Sequence, residues 1–376
     1  MSPCISTAAV FLIACHGGPA DHFATYAEVL AKQGHQVHIQ ASGPALKKFQ
    51  ERGIEVKSPF SLDNLTIEEE DCLAQTIAKT CSTASVVLTD IGHIFDIKIQ
   101  KALSLNAPGI PRFAYYDNPE PFVPGGYSST AAEVIAISHG VLFANETLAK
   151  AKIYSAADQE ISFDDKKRFG IGYYPIAQAE KIAEKRKIEH ADTRSTFLAK
   201  NDIADTGQKI LVYFGGNNEE YYSKAFPAFL SLIAETALQI DFNNTVIVIQ
   251  QHPGAKVKNQ DGLQVEAWVK VYGEQTVLPR VVVSNFSSDQ AQVLADAALY
   301  YQTSMGPQFV LEGIPTIQIG HETFDDILVR NHLAPSVTSV TGLIQAMESL
   351  DQAKAISPQD ILSSLGIRED WQETLQ

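Results

Sequence analysis

The feature that most constrains the fold is a pattern that occurs once in each half of the chain. Residues 8–15 and 209–214 are apolar segments, and a glycine pair follows each closely, at 17–18 and at 215–216. A helical segment comes next in both places. A short apolar run bounded by turn residues is typical of a strand that is buried on both faces of a parallel sheet. The sequence therefore predicts a βα unit at the start of each of two domains.

Further apolar segments of strand length alternate with helical patterns through both halves. They lie at 36–40, 85–89, 112–116 and 140–143, and at 245–250, 281–284, 297–301 and 316–319. Strands that alternate with helices form parallel sheets. We therefore predict an α/β chain with two Rossmann-like, doubly wound parallel-sheet domains facing a cleft.

The domain limits follow from length and polarity. A chain of 376 residues exceeds what one core usually organises. We place an N-terminal domain at 1–170 and a C-terminal domain at 208–350. The polar residues 171–207 are predicted to be a linker, and 351–376 a helical tail.

Charge and cysteine content limit the possible partners. The formal net charge of −15 disfavours nucleic acid and anionic membranes as ligands. The four cysteines show no metal-ligand spacing with histidine, and no segment approaches the ~20 apolar residues of a membrane span. Residues 8–15 lack the preceding positive charge of a signal peptide. We expect a cytoplasmic protein with reduced thiols.

Residues 302–320 predict the end of a strand, a tight turn, a short helix and another strand. Thr303 or Ser304 can cap this helix, and Gly306 allows a ligand to approach the backbone. Met305 lies between them and belongs to the same candidate phosphate-binding segment. A helix start of this kind suits a phosphate group. A tight corner without a ligand is the alternative. The sequence contains neither the G-x-G-x-x-G motif of nicotinamide-binding domains nor the GxxxxGK[ST] motif of P-loops. We therefore expect no cofactor.

The N-terminal half carries short motifs of a known superfamily. His16-Gly17-Gly18 and residues 30–37 match its Gly-rich turn, helix and second strand, and residues 86–90 with 107–113 match its "VVxD … GIP" segment. The chain resembles the GT-B glycosyltransferases. The resemblance implies a nucleotide-sugar donor in the C-terminal domain and an acceptor mainly in the N-terminal domain. The acceptor is not identified by the sequence.

The C-terminal half matches the same superfamily at 313–317, which has the pattern "GxPxI". Asp325 and Asp326 lie near the position where many members place an acidic residue that faces the sugar. Gln308 occupies the position of the Glu that holds the nucleotide ribose in many members, and Glu312 is the nearest carboxylate. The resemblance implies that these four side chains contact the donor, together with the glycine pair Gly215 and Gly216.

A second resemblance concerns the nucleotide. Residues 250–253, with 284–288 downstream, are similar to the "HP" and Ser/Thr motifs of bacterial sialyltransferases, which use cytidine nucleotides. This resemblance implies that His252 contacts a donor phosphate. Those enzymes carry their catalytic base in a motif of two acidic residues and a glycine. No clear match to this motif is found in the N-terminal half, so a UDP-sugar is the favoured donor.

Glycosyl transfer needs a base for the acceptor hydroxyl. His16 and Asp90 each follow a predicted parallel strand, at the edge where such sheets bind ligands, and are the predicted catalytic pair. The alternative is that they only stabilise their turns. Asp21 and His22 are further candidates for sugar or acceptor contacts, as are the turn glycines Gly17 and Gly18.

No His, Cys or Asp cluster has metal-ligand spacing and no DxD triplet occurs, so metal-independent transfer is expected. His321 is isolated in the sequence, and a core or surface role is expected for it. Three functions follow from these patterns. The first is a metal-independent glycosyltransferase, the second a nucleotide-sugar 2-epimerase-like isomerase, and the third a non-catalytic nucleotide-sugar-binding protein.

Overall fold

The computed structural model divides into two compact units, Met1–Tyr174 with Gly366–Gln376, and Pro175–Leu365. The residues that it describes are 8–118, 126–150, 153–156, 159–162, 167–170, 175–242, 244–252, 259–284, 286–322, 325–350, 356–368 and 370.

The first unit is built on a parallel sheet of seven strands in the order β3-β2-β1-β4-β5-β6-β9, beside a two-stranded antiparallel pair, β7-β8. The strands are β1 Ala9–Ala14, β2 Gln36–Ala41, β3 Ser58–Pro59, β4 Val86–Thr89, β5 Arg112–Tyr116, β6 Gly140–Phe143, β7 Ile153–Ala156, β8 Gln159–Ser162 and β9 Lys167–Gly170. The helices are α1 Gly17–Lys32, α2 Gly43–Glu51, α3 Ile67–Thr80, α4 Ile94–Asn106, α5 Gly126–Ile137 and α6 Glu146–Lys150.

The central strand β1 shows why this sheet is buried on both faces. Phe11 and Ile13 pack into a cluster with Phe95 of α4. Leu12, which points to the opposite face, is fully buried as well. Since β1 pairs in parallel with both β2 and β4, the residues that follow these strands lie at one edge of the sheet.

The second unit has a parallel sheet of six strands in the order β12-β11-β10-β13-β14-β15. These strands are β10 Lys209–Phe214, β11 Thr245–Gln250, β12 Arg280–Ser284, β13 Ala297–Tyr300, β14 Thr316–Ile319 and β15 Ser336–Val337. The helices are α7 Pro175–Lys200, α8 Phe226–Ala237, α9 Gln260–Tyr272, α10 Ser288–Leu294, α11 Gly306–Leu311, α12 Ile327–Arg330, α13 Val340–Ser349 and α14 Pro358–Ser364.

Aromatic packing holds α8 on this second sheet. The ring of Tyr213 in β10 stacks on that of Phe229, with centroids 3.9 Å apart. A π-helical turn, Tyr221–Ala225, precedes α8 and brings Tyr221 into the same stack. This aromatic stack is part of the larger hydrophobic core on one face of the second sheet.

The predicted fold class is confirmed, because both sheets are parallel and alternate with helices. Every strand predicted from the sequence is present, with bounds that differ by no more than one residue at either end. The sequence missed five strands. β3 and β15 have two residues each, and β7, β8 and β9 have four residues each, so all are too short to show a clear periodic pattern. None of the described helices is long and apolar enough to cross a membrane.

The predicted linker at 171–207 is largely a helix. Its described part contains α7, with 26 residues, inside the second unit. Ile182, Phe197 and Leu198 are buried on one side of this helix. Charged residues on the remaining faces made the segment polar on average and concealed this apolar stripe.

The predicted tail at 351–376 is divided between the two units. Helix α14 belongs to the second unit, and Gly366 begins the last segment of the first. The backbone carbonyl of Gly366 accepts a hydrogen bond from the N–H of Glu146 at 2.9 Å. The chain therefore returns to the unit in which it started.

Candidate functional site

Three polar side chains lie at the carboxyl edge of the first sheet, each within two residues of the end of a strand. His16 follows β1 by one residue and precedes α1, while Asp90 follows β4 and Asp117 follows β5. In an open parallel sheet this is the edge where ligands bind. The sequence predicted His16 and Asp90 there and missed Asp117, although Asp117 has the same position relative to its strand.

Asp90 is a fully buried carboxylate that holds the half-exposed ring of His16. Its Oδ2 accepts hydrogen bonds from the backbone N–H groups of Cys15 and His16, at 2.8 and 2.9 Å. The same oxygen lies 3.4 Å from Nδ1 of His16, whose side chain is 38% exposed. The hydrogen bond to Asp90 raises the pKa of His16 above its usual value. The structure therefore brings together a partly exposed imidazole and a buried carboxylate that holds it.

A second buried carboxyl group lies behind this pair. Asp96 of α4 is 1% exposed, and its Oδ2 accepts the backbone N–H of His93 at 2.8 Å. Burial, followed by the negative charge of Asp90, raises the pKa of Asp96 well above its usual value. Burial alone would raise the pKa of Asp90 too, but hydrogen bonds from Asp96 and His16 lower it. These opposite shifts favour the proton on Asp96 and the negative charge on Asp90.

His93 borders the same site. Its ring centroid is 5.4 Å from that of His16, and its Nδ1 accepts the backbone N–H of Phe95 at 3.0 Å. Burial lowers the pKa of His93. Because Nδ1 is an acceptor here, the ring is neutral and caps the start of α4.

Asp117 approaches the turn after β1 closely. A Cβ atom at position 18 would collide with Oδ2 of Asp117, so only Gly18 allows this approach. The charge of Asp117 also raises the pKa of His16, after the larger effects of Asp90 and burial. His16 is therefore held near two carboxylates from neighbouring strands.

The other predicted residues of this turn have local roles. Asp21 forms an ion pair with Lys48 at 3.0 Å, and the side chain of Lys48 lies against Gly17. His22 is 5% exposed and its Nδ1 is hydrogen-bonded to the hydroxyl of Tyr115. Burial lowers the pKa of His22 to about 3. The structure therefore places His22 in the core, away from any ligand.

In the second unit, the predicted phosphate site at the start of α11 is internally bonded. The N–H groups of Met305 and Gly306 donate to the hydroxyl and the carbonyl of Thr303, at 3.2 and 3.4 Å. The N–H groups of the next turn, from Gln308 and Phe309, both donate to the carbonyl of Met305. These four donors are already bonded, so the turn is not a ready anion cradle.

Gly306 is required for packing. It is buried, and a Cβ atom there would lie 2.9 Å from Cδ1 of Leu328, which is itself fully buried. Ser304, by contrast, is exposed, and Thr303 is partly buried. The hydroxyl groups of these two residues are what this turn offers to a nucleotide.

Gln308 and Glu312 lie in a buried polar cluster. Nε2 of Gln308 donates to Oε1 of Gln292 in α10 and to Oε1 of Glu312, both at 2.8 Å. Burial raises the pKa of Glu312 to about 8. Gln308 and Glu312 are 4% and 8% exposed, because α11 packs against α7 and the Gln308 side chain reaches Gln292 of α10. In this position the two side chains hydrogen-bond to each other and have little exposed surface.

The glycine pair after β10 packs on an aromatic ring. A Cβ atom at Gly215 would overlap the hydroxyl end of Tyr221, and one at Gly216 would lie 3.1 Å from its Cβ. His252 follows β11 by one residue and is exposed, and burial of part of its ring lowers its pKa. The rest of the "HP" motif, from Pro253 onward, lies outside the described residues.

The acidic pair after β14 is divided. Asp325 is exposed, whereas Asp326 is 7% exposed. Oδ1 of Asp326 accepts the N–H groups of Leu328 and Val329 at the start of α12, and its Oδ2 accepts the hydroxyl of Tyr300 at 2.6 Å. Asp326 is thus a helix cap. Phe324, which precedes the pair, lies outside the described residues.

The fold, with its two units, is similar to that of solved nucleotide-sugar enzymes. A UDP-GlcNAc 2-epimerase from Methanocaldococcus jannaschii has a TM-score of 0.67 at 14% identity, over 93% of this chain and 94% of the other. A UDP-GlcNAc 2-epimerase from Neisseria meningitidis, bound to UDP-GlcNAc, has a TM-score of 0.65 at 12% identity. The match covers 96% of this chain and 95% of the other.

MurG from Acinetobacter baumannii has a TM-score of 0.52 at 15% identity, over 96% of this chain and 94% of the other. No model of a protein family matches the chain, and no curated protein matches it. The similarity to the solved structures spans both units and confirms that this chain has the GT-B fold.

Proposed function

We propose that the protein is an enzyme that acts on a nucleotide-activated sugar, with a UDP-sugar as the favoured substrate. The observation that carries this proposal is the His16–Asp90 pair at the carboxyl edge of the first sheet. The GT-B fold, shared with enzymes named for UDP-GlcNAc, supports the substrate class. The proposed reaction is transfer of the sugar to a hydroxyl acceptor.

His16 is proposed as the general base. Nδ1 faces the buried carboxylate of Asp90, so Nε2 is the nitrogen directed to the substrate. When His16 takes a proton from the acceptor, the negative charge of Asp90 stabilises the imidazolium that forms. The hydrogen bonds from the N–H groups of Cys15 and His16 keep this carboxylate in place.

The donor is proposed to bind the second unit through side chains at the carboxyl edge of its sheet. Thr303 and Ser304 follow β13 and His252 follows β11, so hydroxyl and imidazole groups are present there. Because the backbone donors of the α11 turn are bonded internally, these side chains carry the phosphate contacts in this proposal.

A 2-epimerase is the second candidate, and two observations favour it. The epimerases match with higher TM-scores than MurG. Asp117, near His16, adds a second acid–base group, and inversion at a carbon that bears hydrogen needs one group to remove a proton and a source of a proton to return. Transfer to an acceptor hydroxyl needs only one such base.

One experiment separates these functions. UDP-GlcNAc is incubated with the protein in D₂O, with and without a mixture of sugar acceptors, and followed by NMR. Transfer releases UDP only when acceptor is present and leaves the C2 hydrogen in place. Epimerisation replaces that hydrogen by deuterium without acceptor. Absence of turnover with any UDP-sugar, despite measurable UDP binding, would leave a binding protein and refute both enzymatic proposals.

A further inference from the structure

A cluster of three potential metal ligands lies at the carboxyl edge of the second sheet. Glu220 belongs to the turn after β10, and His321 and Glu322 follow β14. One ligand atom from each of the three residues lies within 4.8 Å of the others. We propose that this cluster binds a divalent transition-metal ion of the Mn²⁺ or Zn²⁺ class.

The donor set fits such an ion. Two carboxylates supply the oxygen ligands that Mn²⁺ accepts, and an imidazole adds the nitrogen ligand that favours transition metals over Mg²⁺ and Ca²⁺. Zn²⁺ is also bound by combinations of His and Glu. Three protein ligands leave coordination positions open to water or to an oxygen of a substrate.

His321 distinguishes this cluster from an ordinary acidic surface. Its ring packs on Tyr301, with centroids 5.6 Å apart, and its side chain is 21% exposed. Nδ1 is buried and has no hydrogen-bond partner within the described residues. A Cβ atom at Gly320 would lie 2.7 Å from the Tyr301 ring, so the chain passes close to this ring before it presents His321. The imidazole is therefore held in place while its polar atoms are incompletely paired.

The charges around the cluster also favour a cation. Nε2 of His321 lies 3.6 Å from Oε1 of Glu322, so one carboxylate already faces the ring. Lys224 is the cation that pairs with Glu220, at 3.7 Å, and its side chain is 62% exposed. An ion pair that is this exposed and this long contributes little to stability, so a metal ion can displace Lys224 from Glu220 easily.

The ion would also explain how this edge accepts a substrate, although that part rests on the proposed function. Two carboxylates repel a diphosphate, and a divalent ion between them neutralises their charge and so removes this repulsion. The open coordination positions would then take phosphate oxygens. Binding of the metal to the protein alone does not depend on this role.

The test uses the full chain and Mn²⁺ alone, followed by the EPR signal of free Mn²⁺ and by calorimetry. We expect one site in the parent protein. Glu322→Gln should weaken it by at least about tenfold, and His321→Gln by a similar factor, since even outer-sphere changes cost that much. Glu322 is 64% exposed, so its substitution should not disturb folding, and thermal melting of both variants checks this.

Glu219→Gln is the matched control, because Glu219 is exposed and adjacent to Glu220 but is not part of the cluster. It removes the same charge and should leave Mn²⁺ affinity near the parent value. No binding at millimolar Mn²⁺ would overturn the proposal. Equal weakening by Glu219→Gln and Glu322→Gln would overturn it too, since it would show diffuse attraction. Competition by Zn²⁺ but not by equal Mg²⁺ is expected, and the reverse order would refute the proposed metal class.

Discussion

Two turns with similar sequences differ in this protein in whether their polar groups are exposed or bonded internally. His16-Gly17-Gly18-Pro19 follows β1 and Ser304-Met305-Gly306-Pro307 follows β13, and in both a proline lies at the start of a helix. The first turn presents a 38% exposed imidazole held by a buried carboxylate. The second hides Gly306 under Leu328 and bonds its N–H groups internally. A strand–glycine–helix pattern thus predicts a turn. Whether the polar groups of that turn are available to a ligand depends on the side chains that pack against it.

The difference has a physical cause in what each turn packs against. The first has polar neighbours, Asp90 and Asp117, which follow the adjacent strands β4 and β5. The second lies under α12, where Leu328 is apolar. Backbone N–H groups that are covered by an apolar side chain must find partners within the protein, so they are no longer available to a ligand.

The largest effect expected from this comparison is on catalysis at the first turn. His16→Ala should lower turnover of the UDP-sugar by ~10²–10⁴, the usual contribution of a positioned base. UDP affinity should stay near the parent value, because His16 belongs to the first unit. His38→Ala, an exposed histidine of the same unit, is the control and should be near parental. Near-parent turnover in His16→Ala would show that the first turn is not the site either.

At the second turn, stability is expected to change more than binding. Gly306→Val introduces a Cβ atom that would lie 2.9 Å from Cδ1 of Leu328, and overpacking of this kind costs about 1–3 kcal/mol. Chemical denaturation measures this loss. The cost should shrink in a Leu328→Ala background, where room is available. An unchanged stability together with lost UDP binding would restore the turn as a phosphate site.

The acidic pair after β14 shows the same difference between a buried, bonded residue and an exposed one at two adjacent positions. Asp326→Ala removes the cap of α12 and the hydrogen bond to Tyr300, and a lost cap costs about 1 kcal/mol. Asp325→Ala, at an exposed position, should change the unfolding free energy by less than about 0.5 kcal/mol. Thermal melting compares the two variants. Equal effects would contradict the assignment of Asp326 as the cap.

The smallest expected effect is a shift in a pH profile. The hydrogen bond with Asp90 raises the pKa of His16 above 6.5, so the neutral base forms, and kcat/KM rises, only above that raised pKa. Asp90→Asn removes the charge and should move this rise to lower pH. NMR titration of the His16 ring measures the pKa directly. A rise at unchanged pH would mean that another group controls the profile.

The raised pKa of His16 also makes the free energy of unfolding depend on pH, and the direction of this dependence follows from the direction of the pKa shift. Since the folded pKa of His16 lies above its unfolded value near 6.5, the stabilisation is fully present below pH 6.5 and is lost as pH rises through the folded pKa. The difference between parent and Asp90→Asn should therefore include a component that shrinks with increasing pH over this window.

Most of the fold could be predicted from the sequence, because strands such as β5 and β11 show their apolar pattern locally. Two parts could not be predicted: α7, whose apolar stripe is masked by its charges, and the strands of two to four residues, which are too short for a pattern. For the candidate site, positions after strands identified His16 and Asp90. His22 and Gln308 were misleading because their burial depends on residues far away in the sequence, Tyr115 and Gln292.

The sequence by itself determined two parallel α/β sheets and the residues at their carboxyl edges, because strand direction and apolar periodicity are properties of local segments. Only the tertiary structure decided which of those residues remain available. It covered Gly306 with Leu328, turned Asp326 into a cap, and brought Glu220 to His321 and Glu322. The reason is that burial and charge proximity depend on side chains from other strands and helices, which no local pattern records.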